Sequence, residues 1–167
     1  MKGLGVVAVI LIILFASIMV GGWGFAGFTM TSSAMEPTFP QGKMVFVSRI
    51  AKGVGRGTVV LAQVPSEETQ VVRRVVGLPG ETIELRDGAV MINGQKIEEK
   101  YLGLQNNVAA QFDTPQPDNF GPYAVPAECY FLLGDNRKFA RDSRVFYAVK
   151  AEAILGTIIS FGGVLVF

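Results

Sequence analysis

The chain of 167 residues contains no histidine. That absence excludes a Ser-His-Asp triad, a Cys-His pair and any His-ligated zinc in one step. There is one cysteine, Cys129, so no internal disulfide can form. It sits in the apolar run Cys129-Tyr130-Phe131-Leu132-Leu133, where a thiol reads as a small buried hydrophobe rather than a reactive group. Charge is also scarce, at 17% of residues against 50% hydrophobic, and it sums to +1. Composition therefore gives no reason to expect a nucleic-acid partner. No metal and no cofactor is expected either. A mean hydropathy of +0.39 is too apolar for an ordinary soluble domain and implies a membrane-attached one.

The excess of apolar residues is concentrated first at the N-terminus. Leu4 to Val20 carries no charge, and the apolar character continues through Trp23 and Phe25. About 20 apolar residues span a bilayer. A cleavable signal peptide is the competing reading, but its apolar region would be shorter and would end in a small-x-small site. The expectation is a retained anchor over 1–26 and an extracytoplasmic domain over 27–167. Lys2 and the N-terminal amine keep the N-terminus cytoplasmic, and Trp23 and Phe25 fall at the outer interface.

Beyond the anchor the sequence alternates short β-rich runs with turns. Met44–Ser48, Thr58–Ala62 and Val71–Gly77 are predicted strands by their β-branched and aromatic content. Asp87-Gly88 and Asn93-Gly94 mark type I′ hairpin turns joining Glu81–Arg86, Ala89–Ile92 and Gln95–Ile97. These runs predict a compact β-meander, with roughly 81–125 an inserted meander and loop region. Glu98–Pro122 is polar and reads as a long loop. Tyr123–Val125 and Cys129–Leu133 are short strands, Gly134–Arg144 a charged loop, and Val145–Val149 a further strand. Ala153–Phe167 is too short for a comfortable second span and predicts two closing strands. The fold class is all-β: an antiparallel sandwich or partly closed barrel behind one N-terminal transmembrane helix.

Three motifs carry the chemistry. Ser32-Ser33-Ala34-Met35-Glu36-Pro37-Thr38 reads as a turn in which Pro37 keeps Glu36 extended. It resembles the nucleophile box of type I signal peptidases, Ser-x-Ser-Met-x-Pro-Thr. Met35, Pro37 and Thr38 match, the oxyanion serine falls on Ser32, and the nucleophile falls on Ala34. Val71 to Glu81 resembles the second box, Lys-Arg-x-x-Gly-x-Pro-Gly-Asp. Arg74, Gly77, Pro79 and Gly80 match, but the lysine general base falls on Arg73. Taken alone, Arg73-Arg74 would read as a solvated pair on an edge strand. Gly134 to Arg144 resembles the third box, Gly-Asp-Asn-x-x-x-Ser-x-Asp-Ser-Arg. Gly134, Asp135, Asn136, Asp142, Ser143 and Arg144 match, and the base-orienting serine falls on Ala140. Asp142 and Arg144 are expected to form a bidentate pair.

Order and spacing of the three boxes after an anchor make the resemblance specific over nearly the whole chain. It implies a Ser/Lys-dyad peptidase of the bacterial-type plasma membrane, single-pass, acting on signal peptides. The substitutions turn that implication. A methyl cannot attack a carbonyl, and an arginine stays protonated and cannot act as base. Ser33, in an extended segment, is expected to face away from the cleft, and Lys43, where the family usually has aspartate, reads as a solvated loop residue. The reading is therefore a catalytically inactive homologue that binds signal peptides or exported precursors, or assists a membrane assembly. Its expected partners are membrane lipid, those precursors and other membrane proteins. Two alternatives remain: an active or engineered-inactive signal peptidase, and a structural β-domain of an envelope complex.

Overall fold

The computed structural model describes residues 2–50, 53–67, 69–102 and 116–159, and within its N-terminal helix it describes side chains at residues 5–15 and 24. That helix, α1, runs Lys2–Gly24 without a proline or an acidic residue. The described side chains from Val6 to Phe15 are apolar on every face, and each large one is at least 51% exposed. Among the described residues no helix is long and apolar enough to cross a membrane.

After α1 the chain is mostly β. Strands β1 (Phe25–Thr29), β2 (Met44–Ser48), β3 (Val59–Ala62), β4 (Val71–Gly77), β9 (Cys129–Leu133), β10 (Val149–Lys150) and β11 (Ile154–Ile159) form one antiparallel sheet, ordered β1-β2-β11-β3-β4-β9-β10. Strands β5 (Thr82–Arg86), β6 (Ala89–Ile92), β7 (Gln95–Lys96) and β8 (Phe120–Ala124) form a second, ordered β7-β6-β5-β8. Alternation sets what each sheet buries. Ile83, Leu85, Val90 and Ile92 of the small sheet share a core with Val76, Phe131 and Leu133 of β4 and β9. A separate core under β1–β3 holds Met30, Met35, Phe39, Val45, Val47 and Ile158. Among the described residues each sheet ends in two edge strands, so no closed barrel forms.

The hairpin turns are as the sequence predicts. Asp87 and Gly88 have φ 49° and 77°, and Asn93 and Gly94 have φ 52° and 80°. Left-handed pairs of this kind match the twist of the strands they join.

Other expectations need correction. The predicted meander breaks because β2 and β3 do not pair; β11 lies between them. The connection between β2 and β3 is too long for a hairpin, which leaves β2 open to a distant partner. Phe25, expected at a membrane interface, opens β1, which pairs with β2 from Phe25↔Ser48 to Thr29↔Met44. Its aromatic residues suit a strand that covers the edge of β2. The strand predicted at Val145–Val149 is replaced by one helical turn, α2 (Ser143–Phe146), and the two-residue β10. The Asp142 side chain accepts a hydrogen bond from the Arg144 amide, and that cap outweighs the β-propensity of Val145. Of the two closing strands expected over Ala153–Phe167, Ile154–Ile159 is one, and the rest lies outside the described residues. The loop expected at Glu98–Pro122 holds a 3-10 turn at Lys100–Leu102 and the start of β8; residues 103–115 lie outside the described residues.

Candidate functional site

The first motif is a turn, as the sequence suggests, and Ser33 lies inside it and not in the extended segment expected for it. Ser32 is extended, Ser33–Met35 form a 3-10 turn, and Glu36 returns to extended backbone at φ −68°, ψ 148° ahead of Pro37. The Glu36 amide closes the turn on the Ser33 carbonyl at 3.0 Å. Met35 is fully buried in the core with Met30 and Phe39, which fixes the turn's orientation. Ser33 is buried and does not line the cleft described below, whereas Ser32 and Ala34 do. So Ser33 does turn away, but through the turn and not through strand alternation.

The second motif lies on β4, every residue of which is buried. Because β4 sits between β3 and β9, Arg73 and Arg74 are not a solvated edge pair. Alternation sends them to opposite faces. Arg74 donates Nε to Asp135 Oδ1 at 2.8 Å, Nη2 to Asp135 Oδ2 at 2.6 Å and Nη1 to the Gly57 carbonyl at 2.8 Å. Arg73 donates Nε and Nη2 to the Arg141 carbonyl at 2.9 and 2.6 Å, and Nη1 to the Val72 carbonyl at 2.6 Å. At the end of β4, Gly77 packs so tightly that an added Cβ would lie 2.8 Å from the Phe131 Cβ. Gly80, after Pro79, turns the chain at φ 80°.

The third motif wraps around the first. The Asn136 amide donates to the Ala34 carbonyl at 3.0 Å, and its side-chain Nδ2 donates to the Ser33 carbonyl at 3.2 Å. A Cβ on Gly134 would meet the Ala140 Cβ at 2.1 Å and the Ala34 oxygen at 2.6 Å, so only glycine allows this approach. Asp142 and Arg144 form the expected bidentate pair, Nε to Oδ1 at 2.9 Å and Nη2 to Oδ2 at 2.8 Å. The Ser143 hydroxyl accepts the Leu132 amide at 2.9 Å and ties α2 to β9.

Together these elements shape a cleft of about 190 Å³. Ser32, Ala34 and Arg73 all line it. Ala140 does not; it is fully buried behind Gly134. Lys43 is exposed and is not part of the lining. The sequence reading missed the rest of the walls: Phe28 and Met30 at and beyond β1, Thr69 and Gln70 before β4, and Glu67 and Arg141, whose side chains pair at 2.7 Å. The Glu67–Arg141 pair joins residues far apart in sequence and leaves no local signal. Among the described residues, no group of three His, Cys, Asp or Glu side chains is placed to hold a metal ion. The lining mixes apolar and hydrogen-bonding side chains.

The family model for signal peptidase, peptidase S26, matches residues 3–161. The chain belongs to the signal peptidase S26 family. Signal peptidase I of Bacillus amyloliquefaciens is 34% identical over 138 residues, 81% of this chain and 74% of its own length. Signal peptidase I V of Bacillus subtilis (strain 168) is 33% identical over 161 residues, 92% of each chain. A crystal structure of a signal peptidase I from Enterococcus faecalis V583 is 34% identical and superposes with a TM-score of 0.54, covering 65% of this chain and 98% of that one. The two open antiparallel sheets are thus a signal-peptidase-like fold. In this signal peptidase homologue the three boxes meet around one cleft.

Proposed function

We propose that this signal peptidase homologue is membrane-anchored and binds signal peptides or exported precursors without cutting them. The observation that carries the reading is the cleft lining: a methyl at Ala34 and a guanidinium at Arg73 line the same cleft as Ser32. The resemblance puts the nucleophile at Ala34, the general base at Arg73 and the base-orienting hydroxyl at Ala140. None of the three side chains can perform its assigned step. The scaffold letters around them keep their bonds, which favours a retained binding role. An extended precursor segment pairs by backbone hydrogen bonds and needs no nucleophile. Edge strand β1 leads through Phe28 to the cleft wall. The motive for the anchor is the uncharged sequence from Leu4 to Val20, and it sets the domain over 27–167 on the extracytoplasmic side of the plasma membrane.

The test uses the full chain in detergent micelles with a signal-peptide-bearing precursor. The expected result is saturable binding and an uncut precursor. Cleavage at a small-x-small site would overturn the reading and favour an active enzyme. Intact-mass measurement on membrane-extracted protein checks the anchor: the full chain is expected, and a form starting near Gly27 refutes it.

A further inference from the structure

Glu99 and Tyr101 belong to none of the three motifs, yet they lock onto the third. The Glu99 carboxylate accepts Arg137 Nη1 at 2.8 Å and Nη2 at 2.5 Å. The Tyr101 hydroxyl donates to the same carboxylate at 2.5 Å. The ring of Tyr101 lies against Arg74, whose Cζ stands 4.1 Å from the ring centroid. The Glu99 and Arg137 side chains are only 9% and 12% exposed, so water does little to weaken the pair. Burial, with the neighbouring Glu99 carboxylate, pushes the Tyr101 hydroxyl well above the ordinary tyrosine range and keeps it a donor. Burial pulls the Arg137 guanidinium down, but the Glu99 hydrogen bond and the charges of Glu99, Tyr101 and Asp135 together raise the net value.

Arg137 passes this grip inward. Its Nε donates to the Gly134 carbonyl at 3.0 Å, and its own carbonyl accepts Arg144 Nη2 at 2.6 Å. Gly134 is the residue pressed against the Ala34 oxygen and the Ala140 methyl. Asn136, which directly precedes Arg137, donates its amide to the Ala34 carbonyl. A continuous set of contacts therefore runs from Glu99 and Tyr101, through Arg137, to the turn that forms the cleft floor.

We propose that Glu99 and Tyr101 are positioning residues that set the Ala34 turn for peptide binding, acting through Arg137 and the Gly134–Asn136 loop. The peptide-binding part rests on the function proposed above; the coupling to Ala34 does not. The physical logic is that of a supporting shell. A cleft holds a ligand well only when the groups beneath its lining cannot shift. Contacts in one network are also non-additive, which gives the proposal a signature.

Two measurements on the full chain in detergent micelles test it: affinity for a synthetic signal peptide ending in Ala-x-Ala, and amide hydrogen exchange at Asn136. Glu99→Gln and Tyr101→Phe are each expected to weaken the peptide and to speed Asn136 exchange by about tenfold, the scale of one lost charge-assisted hydrogen bond. Val90→Ala, in the core between the sheets, lowers Tm but is expected to move neither readout. Glu99→Gln combined with Arg137→Gln should do no more than Arg137→Gln alone. If both readouts stay at wild-type values in Glu99→Gln and Tyr101→Phe, the proposal is overturned. It also fails if Val90→Ala matches them at equal Tm loss. If the peptide does not bind the wild-type chain, the function proposed above fails, and Asn136 exchange alone decides the coupling.

Discussion

Arg74 and Asp135 form two parallel charge-assisted hydrogen bonds at 2.8 and 2.6 Å, with both side chains fully out of contact with solvent. The pair joins the second motif to the third at a point where neither residue could be buried alone. Asp135→Ala leaves a guanidinium without its carboxylate and should cost about 3–5 kcal/mol in chemical denaturation. A loss below about 1 kcal/mol, the scale of a solvated pair, would mean that the guanidinium reaches water.

Gly134→Ala should be a second disruptive change, for a different reason. The new methyl would stand 2.6 Å from the Ala34 carbonyl oxygen, and backbone cannot step aside as a side-chain end can. A cost of about 1–3 kcal/mol is expected, as for other overpacked cores. Peptide affinity should fall with it, because the Ala34 turn must move. Unchanged affinity would show that the turn does not shape the bound state.

Restoring hydrolysis should require at least two changes. Ala34→Ser supplies a hydroxyl, but Arg73 remains a cation unable to take its proton. Arg73→Lys alone supplies a base with nothing to deprotonate, and it also gives up the forked contact to the Arg141 carbonyl. The double variant places a hydroxyl and an amine along one cleft, where burial can lower the amine's pKa. Adding Ala140→Ser should raise the rate further. The expected pattern in a precursor cleavage assay is nothing for each single change, measurable cleavage for the double and more for the triple. Full activity from Ala34→Ser alone would refute this account of the base.

Tyr101 predicts an alkaline dependence. Its folded pKa is raised above the unfolded value of about 10, chiefly by burial. A group shifted this way contributes stability that is fully present below the unfolded pKa and lost as pH rises through the folded one. Unfolding free energy should therefore fall above pH ~10, and Tyr101→Phe should flatten that fall. An ultraviolet titration in which every tyrosine ionises near pH ~10 would contradict the buried hydroxyl.

The sequence made legible what is local. Asp87-Gly88 and Asn93-Gly94 announce their left-handed turns because few other residue pairs accept positive φ twice in succession. The bidentate Asp142–Arg144 pair spans two residues and was readable as such. What failed was long-range. Nothing in Phe25-Ala26-Gly27-Phe28-Thr29 alternates in polarity, so β1 merged with the apolar run before it. Taken alone, Arg73 and Arg74 give no sign of burial, because their partners, Arg141 and Asp135, lie far along the chain. The motifs located Ser32, Ala34 and Arg73 on one cleft, but the further lining by Glu67 and Arg141 came only from the fold. Ser33 was placed rightly for the wrong reason, since a core methionine at position 35 and not strand alternation decides the turn.

The insertion of β11 between β2 and β3 has a consequence for biogenesis. A ribosome delivers residues 154–159 after every other described part of the large sheet. Until then the inner edge of β2 has no strand partner, and the β1–β2 ribbon meets β3–β4 only through connecting chain, loop contacts and the core around Met35 and Phe39. Sheets closed by such distant pairings assemble slowly. An unpaired edge in a nascent chain also invites pairing with a neighbour. Close approach makes the final step exacting: a Cβ on Gly156 would meet the Ser48 carbonyl at 2.5 Å, so the strand enters only with a glycine at that point. A chain arrested before residue 154 would carry all three motifs and still lack the strand that joins β1 and β2, which flank the first of them, to the strands that carry the second.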